Sequence, residues 1–94
     1  MSVQIKQMYV VVVYDINEKR VNKVCKFLRT YLYWIQNSVF EGAVTNANFE
    51  KIKVKLKKII DEKSDSVIFF KMPSEKGMEK EILGVERNEI TNIL

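Results

Sequence analysis

Asp15 is the residue whose type and position most clearly suggest chemistry. It follows the apolar run at residues 8–14 and precedes a helical pattern, a place where α/β proteins tend to bind ligands. A carboxylate is a suitable ligand for a hard divalent cation. The alternative is structural, because an aspartate at a strand end often caps a turn or the next helix. One carboxylate is also too few for a tight metal site unless substrate phosphates or a second copy add ligands.

A second group of candidates is basic, and it lies directly after Asp15. Its members fall on the polar side or edge of one predicted helix: Lys19, Arg20, Lys23 and Lys26. Such a stripe can neutralise phosphates without reading bases, and the net charge of +4 favours a polyanionic partner. A solvated helix face explains the pattern equally well. A second run of lysines, at residues 51–58, is offset by nearby acidic residues, and a solvated face is favoured there.

The composition excludes several kinds of chemistry. The chain has 94 residues and no histidine, which removes imidazole bases and mixed Cys/His zinc sites. Its single cysteine, Cys25, cannot close an intrachain disulfide and is expected to pack as a small core side chain. No glycine-rich phosphate loop is present. Catalysis would therefore use carboxylate, Tyr, Ser or Lys groups, or a metal held by oxygen ligands.

No segment of the sequence indicates a membrane or an export signal. The longest apolar run, residues 8–14, is too short to span a bilayer, and residues 1–7 are too polar for a secretion signal. We therefore expect a cytoplasmic protein that does not contact a membrane.

The elements that must position these residues follow from the apolar pattern. Residues 8–14 are continuously apolar and predict a central strand buried on both faces. Asn17 is the predicted N-cap of a first helix. Two short strands, 33–36 and 39–44, should turn at residues 37–38, and Gly42 indicates a bulge or a close backbone approach. The aromatic side chains of these segments are expected mostly in the core, except Trp34.

The second half of the chain predicts a helix and two strands. Residues 45–62 fit both a strand and a helix, and their length favours the helix. Asp65 and Ser66 predict a turn before a strand at 66–72, and a late strand is expected at 79–85. The order predicts an α+β fold, a ferredoxin-like βαββαβ sandwich with an extra C-terminal strand. An exposed late strand or sheet edge could pair with a second copy, which indicates a homodimer.

Three segments together resemble a known family. They are YVVVVYDI at residues 9–16, RVNKVCKFL at 20–28 and WIQNSVFEG at 34–42. They resemble the small CRISPR-associated adaptation protein family, ferredoxin-like homodimers that partner the CRISPR integrase. The resemblance covers residues 8–85 and implies one domain there, with a polar extension at 1–7 and a tail at 86–94.

The resemblance implies two roles. One is to bridge CRISPR integrase dimers and hold the double-stranded DNA that becomes a new spacer. The other is a Mg²⁺-dependent endonuclease acting on single-stranded RNA or on DNA, with Mn²⁺ as a substitute. Asp15 would be the metal ligand, facing its counterpart in the second copy. Tyr14 and Phe40 fall on motif positions near that centre, and Arg20 with the neighbouring lysines would bind nucleic acid. A ferredoxin-like regulatory module that binds RNA or protein without catalysis stays open.

The absence of histidine leads to a first prediction. Any nuclease activity of this chain should require a divalent metal and should rise toward alkaline pH, because no imidazole is available as a base. Cleavage rates of the purified protein, measured from acidic to alkaline pH with Mg²⁺ and with a chelator, test this. A bell-shaped profile centred on neutral pH in the presence of the chelator would contradict it.

Overall fold

Five antiparallel strands form one sheet in the computed structural model, which describes residues 7–73 and 77–86. The elements are β1 (Gln7–Asp15), α1 (Glu18–Leu28), β2 (Tyr33–Gln36), β3 (Val39–Thr45), α2 (Asn46–Ile59), β4 (Ser66–Met72) and β5 (Glu79–Gly84). The strand order is β2-β3-β1-β4-β5. This confirms the ferredoxin-like α+β prediction with its extra strand. Nearly all of the predicted extension at 1–7 and tail at 86–94 lies outside the described residues.

β1 lies at the centre of the sheet, as predicted, but it is not buried equally on both faces. Met8, Val10, Val12 and Tyr14 are buried against both helices. The intervening side chains face the other way, and Tyr9 among them is 41% exposed. The prediction of two buried faces was therefore wrong for the single chain, because both helices pack on one face of the sheet.

Both helices begin at the predicted caps. The Asn17 side chain accepts a hydrogen bond from the Lys19 amide at 2.9 Å, and Thr45 does the same for Asn48 at 3.1 Å. These bonds satisfy amides that the first turn of a helix leaves without partners. α2 ends at Ile59, three residues before the predicted end, because Ile60 adopts an extended backbone.

The hairpin between β2 and β3 turns at residues 37–38, as predicted. Asn37 takes a positive φ of 43°, a conformation that asparagine adopts more readily than most residues. The irregular pairing lies in β2, between Trp34 and Gln36, and not at Gly42. A Cβ on Gly42 would come within 3.1 Å of the Leu32 side chain. The close approach, rather than the bulge, therefore explains this glycine.

Asp65 is a buried charge that joins distant parts of the chain. Its carboxylate accepts hydrogen bonds from Arg20 Nε at 2.6 Å and Arg20 Nη2 at 3.0 Å. It also accepts the amides of Asn17 at 3.0 Å and Asp61 at 2.8 Å. The predicted turn at Asp65 and Ser66 lies earlier, at residues 62–64, and Asp65 is buried because these donors hold its carboxylate inside the fold. The guanidinium of Arg20, aided by the two amides, lowers the pKa of Asp65 to about 2.

A cluster of charged residues attaches β5 to the rest of the fold. Glu81 on β5 forms ion pairs with Lys71 on β4 and, at 2.8 Å, with Lys53 on α2. Both ammonium groups also lie about 5 Å from the centre of the Phe49 ring, where cation–π attraction adds to the contact. β5 is thus held to its own sheet by charge as well as by backbone pairing.

The Asp65 contacts generate a prediction about acid stability. Since the folded-state pKa lies below the usual value of 3.8, Asp65 stabilises the fold above about pH 4. That contribution, about 2 kcal/mol, should be lost as the pH falls toward 2. Asp65→Asn should lower the free energy of unfolding near neutral pH by about 3 kcal/mol, because it leaves Arg20 without its charge partner.

The matched control for this prediction is Asp61→Asn in the same loop. Asp61 is exposed, and an amide oxygen can replace the acceptor that its carboxylate offers to the Lys63 amide. Urea unfolding should place this variant within about 0.5 kcal/mol of the native chain. Equal losses in the two variants would contradict the role assigned to Asp65.

Candidate functional site

Asp15 is the last residue of β1, and its exposed side chain lies on the sheet face opposite the helices, here called the open face. In the antiparallel register Asp15 is opposite Ser66 on β4, and Ser66 is opposite Gly84 on β5. Residues paired in this way direct their side chains to the same face of a sheet. Asp15, Ser66 and Gly84 therefore form one row across the end of the sheet, here called the Asp15 row.

The rest of the open face is largely apolar. Val11 and Val13 are half-buried there, and their β4 partners Phe70 and Ile68 are 4% and 1% exposed. Ile82 on β5 extends the band, since it pairs with Ile68. The apolar area of this face that is still exposed therefore lies on the half-buried residues of β1 and β5, beside the exposed carboxylate of Asp15.

Polar side chains lie at the margin of this apolar band. The Tyr9 hydroxyl donates a hydrogen bond to the Glu41 carboxylate across β1 and β3. That bond raises the pKa of Tyr9, because the ionised phenol would face a neighbouring carboxylate. Tyr9 is thus held as a neutral hydrogen-bond donor at the edge of the open face.

Tyr14 and Phe40 lie on the opposite side of the sheet from Asp15. Phe40 is fully buried, and its ring centre is 5.9 Å from that of Tyr14. The Tyr14 hydroxyl is 3.0 Å from Cys25 Sγ, and burial raises the pKa of Tyr14 well above its usual value. The structure therefore places Asp15 apart from both aromatic residues, which pack beneath the end of β1. Their catalytic role stays a prediction, and the contacts seen here are structural.

Ser66 is a residue of this region that the sequence reasoning did not select. It is 1% exposed, and its hydroxyl oxygen has no hydrogen-bond partner in the described part of the chain. The sequence placed Ser66 beside a turn, and no local signal could pair it with Asp15, because the two residues are 51 positions apart.

The donor set of the site fits a divalent cation only in part. Asp15 offers a hard carboxylate oxygen, whereas the Ser66 hydroxyl opposite it in the same row is buried. Within residues 7–73 and 77–86, however, no three acidic or cysteine side chains come together to hold a metal. One chain supplies too few ligands, and a second copy facing it across the open face would double them.

The basic stripe on α1 divides into two kinds of residue. The lysines at 19, 23 and 26 are exposed and form no ion pair within the described residues. Arg20, by contrast, is held by two hydrogen bonds to Asp65. Its predicted contact with nucleic acid is untested, and the guanidinium already has a structural partner.

Two exposed aromatic residues, Tyr33 and Trp34, lie on β2 at the edge of the sheet. Tyr33 is 76% exposed, so its expected place in the core was wrong. It pairs with Glu41, which pairs with Val11, and this register places Tyr33 on the open face. Trp34, the predicted exception, is 51% exposed, and its indole N–H donates to the Asn37 carbonyl at 3.0 Å. Both side chains remain accessible to a partner.

No helix within the described ranges is long and apolar enough to cross a membrane.

Comparisons with known proteins agree on one family. A family model described as CRISPR associated protein Cas2 matches residues 8–79. A Pyrococcus furiosus protein named CRISPR-associated endoribonuclease Cas2 is 61% identical over 87 residues, 93% of this chain and 100% of that protein. A Methanocaldococcus jannaschii protein of the same name is 53% identical over 91 residues, with 97% and 80% covered. A solved crystal structure of cas2 superposes with a TM-score of 0.69 at 43% identity, covering 86% of this chain and 88% of its own.

Proposed function

The chain belongs to the CRISPR associated protein Cas2 family, and on this premise we propose that it is a homodimeric, metal-dependent endoribonuclease centred on Asp15. Family membership confirms the resemblance drawn from the three motifs. The relatives from P. furiosus and M. jannaschii carry the name endoribonuclease, and both match nearly the whole chain. A cytoplasmic location is part of the proposal, since nucleic acid is the expected substrate.

The observation that carries the proposal is the position of Asp15 beside the apolar open face. Half-buried Val11, Val13 and Ile82 gain burial if a second copy covers that face. A twofold axis through the contact repeats every residue on both sides, so each Asp15 acquires a counterpart. The dimer would thus supply the carboxylate that one chain lacks for a cation site.

The chain's own groups have limited roles in such a centre. Asp15 would hold Mg²⁺, or Mn²⁺ in its place, through carboxylate oxygens. When bound, the cation would supply Lewis acidity toward the phosphodiester and activate water for its hydrolysis. The α1 lysines would bind the flanking phosphates, and Tyr14 and Phe40 would keep the end of β1 in place from the core side. The chain offers no imidazole for proton transfer.

A second candidate function is suggested by the α1 lysines alone. Lys19, Lys23 and Lys26 recur at spacings of four and three residues, so they share one helix face, and they are exposed. In a dimer, two such faces would form an extended basic surface suited to the backbone of double-stranded DNA. We therefore propose, as a distinct role, a scaffold that holds duplex DNA for spacer integration together with the CRISPR integrase. The non-catalytic regulatory module is the remaining alternative if the purified protein cleaves no nucleic acid.

The proposed nuclease leads to a prediction for Asp15→Asn. This variant should lose cleavage of single-stranded RNA and lose Mn²⁺ binding, because an amide is a weak ligand for a hard cation. Its fold should persist, since Asp15 is exposed. In the native protein, titration calorimetry should give one Mn²⁺ for two chains. Asp61→Asn serves as the control and should cleave at the native rate, whereas native-level cleavage by Asp15→Asn would rule out the proposed centre.

The scaffold role leads to a separate prediction for the lysines. Replacing Lys19, Lys23 and Lys26 together with alanine should weaken binding to duplex DNA regardless of its sequence. It should also reduce the slope of log affinity against log salt by about 0.9 for each phosphate contact removed.

The matched control removes three lysines from the exposed side of α2: Lys51, Lys55 and Lys58. It makes the same change in net charge, so it separates the α1 surface from a general charge effect. A comparable fall in affinity and slope in both triple variants would contradict the assignment of duplex binding to α1.

A further inference from the structure

Ser66 carries a buried hydroxyl that nothing in the described residues satisfies. Its side chain is 1% exposed, and Oγ has no hydrogen-bond partner there. Leaving a buried hydroxyl without a partner is unfavourable, because the group loses its bonds to water and gains none in return. Most buried polar groups in folded proteins are paired, so this exception points to a hydrogen bond that the Ser66 hydroxyl does not make among the described residues of the metal-free chain.

The sheet register indicates which group Ser66 can reach. Asp15 is directly opposite on β1, and side chains paired in this way have Cβ atoms roughly 5 Å apart. On the other side Ser66 is opposite Gly84, which has no side chain. Nor could Gly84 carry one, because its φ is +82° and a Cβ would lie 2.0 Å from the Asp65 carbonyl oxygen. Within the Asp15 row, the carboxylate of Asp15 is therefore the only side-chain group beside the Ser66 hydroxyl.

We propose that Ser66 is a positioning residue for Asp15. Its hydroxyl donates a hydrogen bond to one carboxylate oxygen of Asp15 in the cation-loaded dimer and leaves the other oxygen for the cation. Carboxylates that bind metals are commonly held by hydrogen bonds of this kind, which fix their orientation. This inference rests on the proposed metal role of Asp15. It adds a residue on a different strand that acts through Asp15 and does not itself touch the substrate.

Replacing Ser66 should change the affinity for the metal without lowering the stability of the metal-free chain. A hydroxyl without a hydrogen-bond partner does not stabilise that chain. Ser66→Ala should therefore leave the metal-free Tm unchanged or raise it by up to a few degrees. The same variant should bind Mn²⁺ about tenfold more weakly, the loss expected when a residue that orients a metal ligand is removed. A purely structural serine would show the reverse, a lower Tm with unchanged affinity.

The decisive experiment measures Mn²⁺ affinity by titration calorimetry and the metal-free Tm of the full-length protein in five forms. These are the native chain, Ser66→Ala, Ser66→Thr, Ser38→Ala and Asp15→Asn. Ser66→Thr keeps a hydroxyl and suits a strand, so it should recover most of the affinity that Ser66→Ala loses. Ser38 lies in the β2–β3 turn outside the Asp15 row, and Ser38→Ala should bind Mn²⁺ like the native chain.

The outcomes distinguish this inference from the proposed function. If Asp15→Asn loses Mn²⁺ while Ser66→Ala binds it as tightly as the native chain, the role of Ser66 is overturned and the Asp15 centre stands. Equal losses in Ser66→Ala and Ser66→Thr also overturn it, because the hydroxyl would not be the cause. If Asp15→Asn binds Mn²⁺ normally, or the native chain binds none, the proposed metal centre is ruled out, and the proposed role of Ser66 is ruled out with it.

Discussion

The alternation of side chains along β1, in a sheet whose two helices pack on one face, is the constraint on which the rest of this structure depends. Because successive residues of a strand point to opposite faces, Tyr14 enters the core and Asp15 does not. A shift of one residue in register would bury the carboxylate and expose the tyrosine. Placing both helices on one side keeps Asp15 on an apolar surface that a second chain can cover. This alternation explains why Tyr14 and Asp15, which are adjacent in one motif, lie on opposite faces of the sheet.

The chain changes direction after Asp15, between β1 and α1, and Asp65 fixes this connection by hydrogen bonds. It accepts the Asn17 amide at the start of α1 and the Asp61 amide in the α2–β4 loop, while Arg20 balances its charge. A buried carboxylate with four donors is well satisfied, whereas one with fewer would destabilise the fold. These contacts of Asp65 lie beside the Asp15 row, because Asp65 immediately precedes Ser66. The same hydrogen bonds therefore stabilise the fold and fix the backbone next to the candidate site.

The open face and the α1 lysines are two separate surfaces, and the two proposed roles would each use a different one. The first is apolar with a carboxylate at its end, which suits a second copy and a cation. The second is a stripe of exposed lysines on the helical side, which suits phosphate groups of a long nucleic acid. Since the surfaces lie on different faces, loss of one need not remove the other. A scaffold role and a nuclease role are thus compatible in one small domain.

Local pattern in the sequence was sufficient to predict the elements of the fold, and it singled out Asp15 as a candidate. The caps at Asn17 and Thr45, the hairpin turn and the strand at 66–72 depend on interactions between residues close in the chain, so composition and spacing reveal them. The absence of histidine alone removed whole classes of catalysis. Even the family could be recognised from three short segments.

Only the tertiary structure decided which side chains meet. Arg20 and Asp65 are 45 positions apart, and Asp15 and Ser66 are 51, so no local periodicity could pair them. Packing pairs Arg20 with Asp65, places Phe40 in the core beneath the end of β1 and leaves the Ser66 hydroxyl without a partner among the described residues. These outcomes depend on register and on the face that each helix covers, which arise from the whole chain folding together.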